Sequence, residues 1–180
     1  YRLGEKGTFA KHGLWTSATK APLLFVAPNL PQGKVIDTPA EMLSIYPTLL
    51  ELSGLPAYDR NEGKSLVSTM RGKSPDKKAF ALITYGMNNH AVQADSFRYI
   101  QYEDGSEELY DHRVDPHEFM NQAGNSLYAK EIKKLKKLLP KENSMWDSNS
   151  SYTFQPYFVE QKERTSGSDG KPLKVIGAER

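Results

Sequence analysis

The chain has 180 residues, 38% hydrophobic and 26% charged, with a formal net charge of +2. That is enough for one ordinary domain or the tail of a larger one. The near-neutral charge gives no case for nucleic acid or a membrane surface, and no run approaches the roughly 18–20 apolar residues that cross a bilayer. With no cysteine, disulfide and thiolate chemistry are excluded from these residues, although no compartment follows from that. The chain opens at Tyr1 without an initiator methionine or an apolar leader, so an upstream part of the same protein is expected.

Residues 4–20 (GEKGTFAKHGLWTSATK) set Lys6, Lys11, His12 and Lys20 among Gly4, Gly7 and Gly13. Glycines permit close backbone approach, and lysines are compact point charges suited to sulfate or phosphate oxygens. Phe9 and Trp15 are placed either to wall a sugar or to pack underneath the loop. The bland reading is a solvated loop with a core tryptophan. Residues 23–27 (LLFVA) follow as the most apolar run, closed by Pro28. An unbroken run of this kind suits a strand buried on both faces of a parallel sheet. The loop before it would then lie at the sheet edge, where α/β proteins hold ligands.

After the turn cluster 28–33, residues 34–36 read as a short strand. Thr38, Pro39 and Glu41 read as a capping box opening a helix that Gly54 stops. Pro47 predicts a kink or two consecutive short helices. Residues 56–78 are loop-like, with a short helix near 65–70 and an exposed link at 73–78. From residue 79 the texture is an antiparallel meander, with strands at 80–85, 90–95, 97–103 and 107–111. Its turns fall at 86–89 and at Asp104-Gly105, and it has one face to bury.

Asp115, Pro116 and Glu118 repeat the N-cap logic and predict another turn of helix. Residues 126–139 form an amphipathic helix, with Leu127, Tyr128, Ile132, Leu135, Leu138 and Leu139 inward. Lys130, Lys133, Lys134, Lys136 and Lys137 lie opposite, a solvated outer face given the balanced charge. In the polar tail, Trp146, Tyr152, Phe154, Tyr157 and Phe158 are candidates to pack back on the body. An Asn149-Ser150-Ser151 sequon occurs there, and residues 165–171 read as flexible. No internal repeat is found.

Five segments carry a resemblance: LGEKGTFAKHGLW, ATKAPLLFVAPN, IYPTLLELSGLP, FRYIQYEDGSEELYD and DPHEFMN. In order and spacing, over residues 3–139, they resemble the C-terminal part of the formylglycine-dependent sulfatases, in the iduronate-2-sulfatase-like branch of the alkaline phosphatase superfamily. The resemblance implies an α/β fold: the last part of the large mixed sheet, plus a small antiparallel sheet subdomain packed with a helix. It divides the chain into the end of the α/β core (1–55), the C-terminal subdomain (56–143) and a polar extension (144–180).

It also implies sulfate-ester hydrolysis of a sulfated polysaccharide or glycosaminoglycan by the full-length protein, with this portion alone inactive. The implied cofactors are formylglycine and calcium, both held outside this chain, so no metal ligand is assigned here. There is no cysteine and no Ser-x-Pro-x-Arg from which formylglycine could form. Lys11 corresponds by spacing to the family's sulfate-contacting lysine and is the catalytic candidate. Lys6, where many relatives have histidine, His12 and Trp15 join Lys11 as substrate-binding candidates. The implied partners are a sulfated carbohydrate and the missing N-terminal part, with no nucleic acid and no membrane. The implied location is periplasmic or secreted, or lysosomal in an animal.

Three readings stand beside this one. A phosphodiesterase or phosphonate hydrolase shares the superfamily and would differ in its nucleophile. A non-catalytic carbohydrate- or anion-binding module would keep the loop as a surface. A nucleic-acid-binding lysine helix is the weakest rival.

Overall fold

The computed structural model describes residues 2–9, 11–73 and 79–143. The aromatic tail, the sequon at 149–151, the segment 165–171 and most of the 73–78 link lie outside the described residues. Helical elements in chain order are α1 (Thr16–Thr19), α2 (Ile45–Leu52), α3 (Val67–Met70) and α4 (Ala129–Lys136). The strands are β1 (Phe80–Thr84), β2 (His90–Ala94), β3 (Phe97–Gln101) and β4 (Glu107–Asp111), one antiparallel sheet in that spatial order.

The meander follows its local signals. Ala94 pairs with Phe97 across a tight turn in which Asp95 adopts φ 49°. Between β3 and β4, Gly105 N–H donates to the Tyr102 carbonyl at 3.0 Å. The Asp104 carboxylate there accepts from the Ser106 amide at 2.9 Å and its hydroxyl at 2.6 Å. With period two, Val92, Ala94, Tyr99 and Leu109 line one face, and α4 covers them with Leu135, Ile132, Leu138 and Tyr128. Asn125 caps the single 3-10 turn that leads into α4, accepting from Leu127 N–H. Leu127 itself is exposed, unlike the inward position expected for it, because it belongs to that turn and not to the α4 stripe.

The opposite face is also covered, against the expectation of one buried face. Ala91, Ile100 and Tyr110 pack there with Leu14, and with Trp15, Ile83, Tyr85 and Tyr102 at the rim. The N-terminal loop therefore lies on the back of the sheet.

Further expectations are corrected. Residues 23–27 form no strand, and Leu24 and Val26 are 84% and 89% exposed. A strand exists through hydrogen bonds to neighbours, and the described residues supply none for this run. Residues 34–36 likewise form no strand. Asp115 to Glu118 starts no helix. The Asp115 carboxylate instead accepts from the amides of Phe119 and Met120 at 3.0 and 2.8 Å, closing a turn in which Glu118 is left-handed at φ 61°.

The 41–54 region splits into a 3-10 turn, Met42–Ser44, followed by α2. The break falls ahead of Pro47, which sits in the first turn of α2, where its missing N–H costs little. Glu41 does not serve the expected capping box. Its carboxylate accepts from Leu82 N–H at 2.7 Å and so occupies a free donor of the edge strand β1. The stop at Gly54 holds: Gly54 N–H reaches Glu51 O at 3.2 Å and Leu55 N–H reaches Leu50 O at 2.9 Å, a Schellman closure. The expected short helix near 65–70 is α3. Its entry is tied to α2 by Thr48, whose buried hydroxyl donates to Ser44 O at 2.6 Å and accepts from Leu66 N–H at 2.9 Å.

Pro47 also leaves the Leu43 carbonyl without its usual i+4 donor, and the backbone of Gly63 packs against it. A Cβ at Gly63 would stand 2.0 Å from that oxygen. Gly63→Ala should therefore destabilise the protein by about 1–3 kcal/mol or more. Gly124→Ala, with nothing within 4 Å of its Cβ position, should stay within about 0.5 kcal/mol. Urea unfolding of the two variants side by side checks this, and equal midpoints would refute the close contact.

Candidate active-site loop and its anchors

The loop 6–16 is held to the back of the sheet at both ends. At the near end Lys6 is left-handed (φ 57°) and turns its ammonium inward. It donates to the Tyr110 hydroxyl at 2.9 Å and to the Glu118 carbonyl. Its charge lies 4.3 Å from the Tyr110 ring centroid and 5.7 Å from that of Trp15, within cation–π range. Burial pushes the Lys6 ammonium pKa down, only partly offset by the Glu108 and Glu118 carboxylates.

At the far end Trp15 Nε1–H donates to Glu108 at 2.6 Å. The same carboxylate accepts from the Tyr110 and Tyr102 hydroxyls at 2.5 and 3.1 Å. Both phenols are pushed above the ordinary tyrosine value, first by burial and then by that carboxylate. Thr16 donates its amide at 2.9 Å and its hydroxyl at 2.5 Å to the two oxygens of Glu118. Arg98 Nη1 donates to Leu14 O at 2.8 Å and Nε to Thr16 Oγ1 at 3.1 Å. Arg98 and Glu118 form a buried ion pair at 2.9 Å, and His112 Nε2–H reaches Glu118 at 2.8 Å. Burial alone would raise the Glu118 carboxyl. Hydrogen bonds from His112 and Thr16, with the Arg98 charge, outweigh it and hold the group below the usual carboxylate value.

Between the ends, buried Arg2 spans the loop, donating to Thr8 Oγ1 at 2.9 Å and to the His12 carbonyl at 2.5 Å. Its guanidinium lies 4.7 Å from the Trp15 ring centroid. Gly13 makes room for it, since a Cβ there would sit 2.4 Å from Arg2 Nη1. Lys11 and His12 are exposed on the outer bend, with the His12 ring stacked on Tyr85 at 5.6 Å.

The four residues singled out from the sequence thus divide into two pairs. Lys11 and His12 stand together on the outside, whereas Lys6 and Trp15 face the sheet as anchors. Arg2, Thr16, Arg98, Glu108 and Glu118 escaped sequence reasoning. The available signal was weak: one arginine inside an apolar strand, and one glutamate following Asp-Pro.

Among the described residues no three His, Cys, Asp or Glu side chains converge as metal ligands, and the sequence holds no cysteine. These residues do not fit a resident calcium or a formylglycine. Two lysines of α4 are paired with carboxylates, Lys134 with Asp95 and Glu131 at 3.2 and 3.1 Å and Lys136 with Glu107 at 2.5 Å, in keeping with a solvated face. No helix among the described residues is long and apolar enough to cross a membrane.

Comparison with known proteins agrees with this architecture. Residues 4–145 match the family described as N-sulphoglucosamine sulphohydrolase, C-terminal, and the chain belongs to that family of sulfatase C-terminal regions. It is 64% identical over its whole length to a sulfatase of Formosa agariphila, of which it spans 36%. It is 27% identical over 161 residues, 82% of this chain and 29% of the relative, to an N-acetylglucosamine-6-O-sulfatase of Bacteroides thetaiotaomicron. Its fold resembles a phosphonate monoester hydrolase of Silicibacter pomeroyi, with TM-score 0.52 and 21% identity, covering 63% of this chain and 26% of that one.

The ion pair makes a stability prediction. A carboxyl depressed by folding contributes stability above its unfolded pKa and loses it as pH falls through its folded value. Arg98→Leu should cost about 3–5 kcal/mol at pH 7, because it strands a buried carboxylate. Its loss of stability on acidification should be shallower than the wild type's. Urea midpoints at neutral pH and below the carboxylate range test both, and parallel acid slopes would refute the pairing.

Proposed function

We propose that the complete protein carrying this chain hydrolyses sulfate esters of carbohydrates, and that residues 6–16 supply its sulfate-facing loop. The observation that carries the reading is a cationic bend fastened at both ends, which presents Lys11 and His12 outward. A cation carried on an anchored loop costs less reorganisation when an anionic oxygen arrives, which is the condition for electrostatic stabilisation of charge transfer. In this reading Lys11 meets the sulfate oxygens and the oxygen that leaves with the sugar, His12 faces the sugar, and Lys6 and Trp15 hold the loop in place.

Support for the substrate class comes from the family description and from the relatives' names, a sulfatase and an N-acetylglucosamine-6-O-sulfatase. In this reading the nucleophile and the metal belong to other residues of the protein, since the described residues do not fit them. The side chains of Leu24, Val26, Val35, Met42, Tyr46 and Leu49 are exposed, and on this proposal those other residues cover them. The 23–27 run then acquires the neighbours that a doubly buried strand needs.

In the complete protein, Lys11→Ala should lower kcat on a 6-O-sulfated glucosamine by about 100-fold or more, the scale of losing one charge-stabilising donor. An unchanged kcat would remove Lys11 from the chemistry. Faster cleavage of a phosphonate monoester than of any sulfate ester would overturn the reaction class.

A further inference from the structure

We infer that Glu118 is the positioning residue of the Lys11 loop. It acts through Thr16 and Arg98 with its side chain and through Lys6 with its backbone. The inference rests on the reading of Lys11 given above.

The geometry is specific to this one residue. Both carboxylate oxygens are used on the far end of the loop, by the Thr16 amide and hydroxyl. The carbonyl of the same residue accepts from the Lys6 ammonium at the near end. Glu118 reaches both ends because its backbone is left-handed, φ 61°, a conformation that glutamate seldom adopts and that persists where surrounding contacts over-determine it. The turn that carries it is fixed from the other side by Asp115, through the amides of Phe119 and Met120. Its charge is met inside the protein by Arg98 and His112.

A residue that only filled the interior would not need a carboxylate, a carbonyl and a rare backbone angle aimed at the same eleven-residue loop. Nor would a general stabiliser leave the apolar face of the sheet under α4 untouched, as this one does. Glu118 ties the segment after β4 to the bend that bears Lys11. The placement of that ammonium is then set more than one hundred residues further along the chain.

The test uses the complete protein as wild type, Glu118→Gln, Lys11→Ala and the double variant, with Thr16→Val as a milder cut at the same junction. Hydrogen exchange should show faster exchange of amides 7–14 in Glu118→Gln and Thr16→Val, with the β2 and β3 amides unchanged. On a 6-O-sulfated glucosamine, Glu118→Gln should lower kcat about 10- to 100-fold, the cost of misplacing a catalytic group by about an ångström. KM should move by less than about threefold.

The deciding readout is coupling: added to Lys11→Ala, Glu118→Gln should cost no further kcat, because its effect passes through the lysine. Full additivity, an unchanged kcat in Glu118→Gln, or loop amides that exchange as in wild type would each overturn the inference while leaving Lys11 in place. An unchanged kcat in Lys11→Ala would overturn the underlying reading instead. Should Glu118→Gln fail to fold, Thr16→Val carries the same comparison.

Discussion

Everything that the N-terminal loop presents depends on one buried pair, the Glu118 carboxylate and the Arg98 guanidinium at 2.9 Å. A buried ion pair is a poor source of net stability, because desolvating two charges consumes most of their attraction. Its effect here is to fix position. Ordering each loop residue costs about 1–2 kcal/mol of backbone entropy, whereas burying a leucine such as Leu14 returns only about 1.5–3 kcal/mol. Over the eleven residues of the loop that cost exceeds what the buried Leu14 and the partly buried Trp15 return. Directional polar contacts to Thr16, Leu14 and Lys6 must hold the bend, and they converge on Glu118 and Arg98. Removing Glu118 would leave the Arg98 guanidinium without a carboxylate in the interior, and removing Arg98 would leave the Glu118 carboxylate with only His112 and Thr16, which is why the pair is hard to replace piecemeal.

The sheet makes this arrangement possible by being unlike on its two faces. Under α4 the contact is hydrophobic and non-directional, centred on Val92, Tyr99, Leu109 and Leu135. On the other face the apolar patch of Ala91, Ile100 and Tyr110 is small and is ringed by Arg98, Glu108 and Tyr102. Alternation along β3 accounts for the difference. Phe97 and Tyr99 point to the helix, while Arg98 and Ile100 point to the loop. A one-residue slip of this strand would exchange the two faces and bring the arginine under the helix without a partner. The register is thus specified twice, by the helix that needs tyrosine and by the loop that needs arginine.

What could be read from the chain, and what could not, follows the range of each interaction. The meander, its Asp104-Gly105 turn, the stop at Gly54 and the lysine face of α4 rest on residues a few positions apart, and all appear as expected. The sulfatase resemblance was legible because its five segments keep their order. Glu118 was misread because Asp-Pro-x-Glu is a good local helix start, and only a partner 102 positions away makes it a left-handed clamp. Glu41 shows the same error in miniature: a locally sound cap was taken instead by Leu82 N–H on the edge strand. The 23–27 run fails for the opposite reason. Its apolar pattern suits a strand with neighbours on both sides, and the described residues supply none, so no strand forms.

Lys6 and Lys11 show how far burial separates two identical side chains five positions apart. Lys6 is drawn in by a positive φ and ends among Tyr110, Trp15 and the carboxylates of Glu108 and Glu118, so its charge is compensated inside the protein. Its field does not extend far beyond the loop, because opposite charges at close range cancel at distance. Lys11 follows the bend outward and is exposed. A loop with both lysines outside would be more cationic, but it would be tethered at one end only and its charge would wander. Turning one cation inward gives up half the charge and fastens the near end of the bend that carries the other half. On the proposal that Lys11 meets an anion at a single place, position is worth more than total charge.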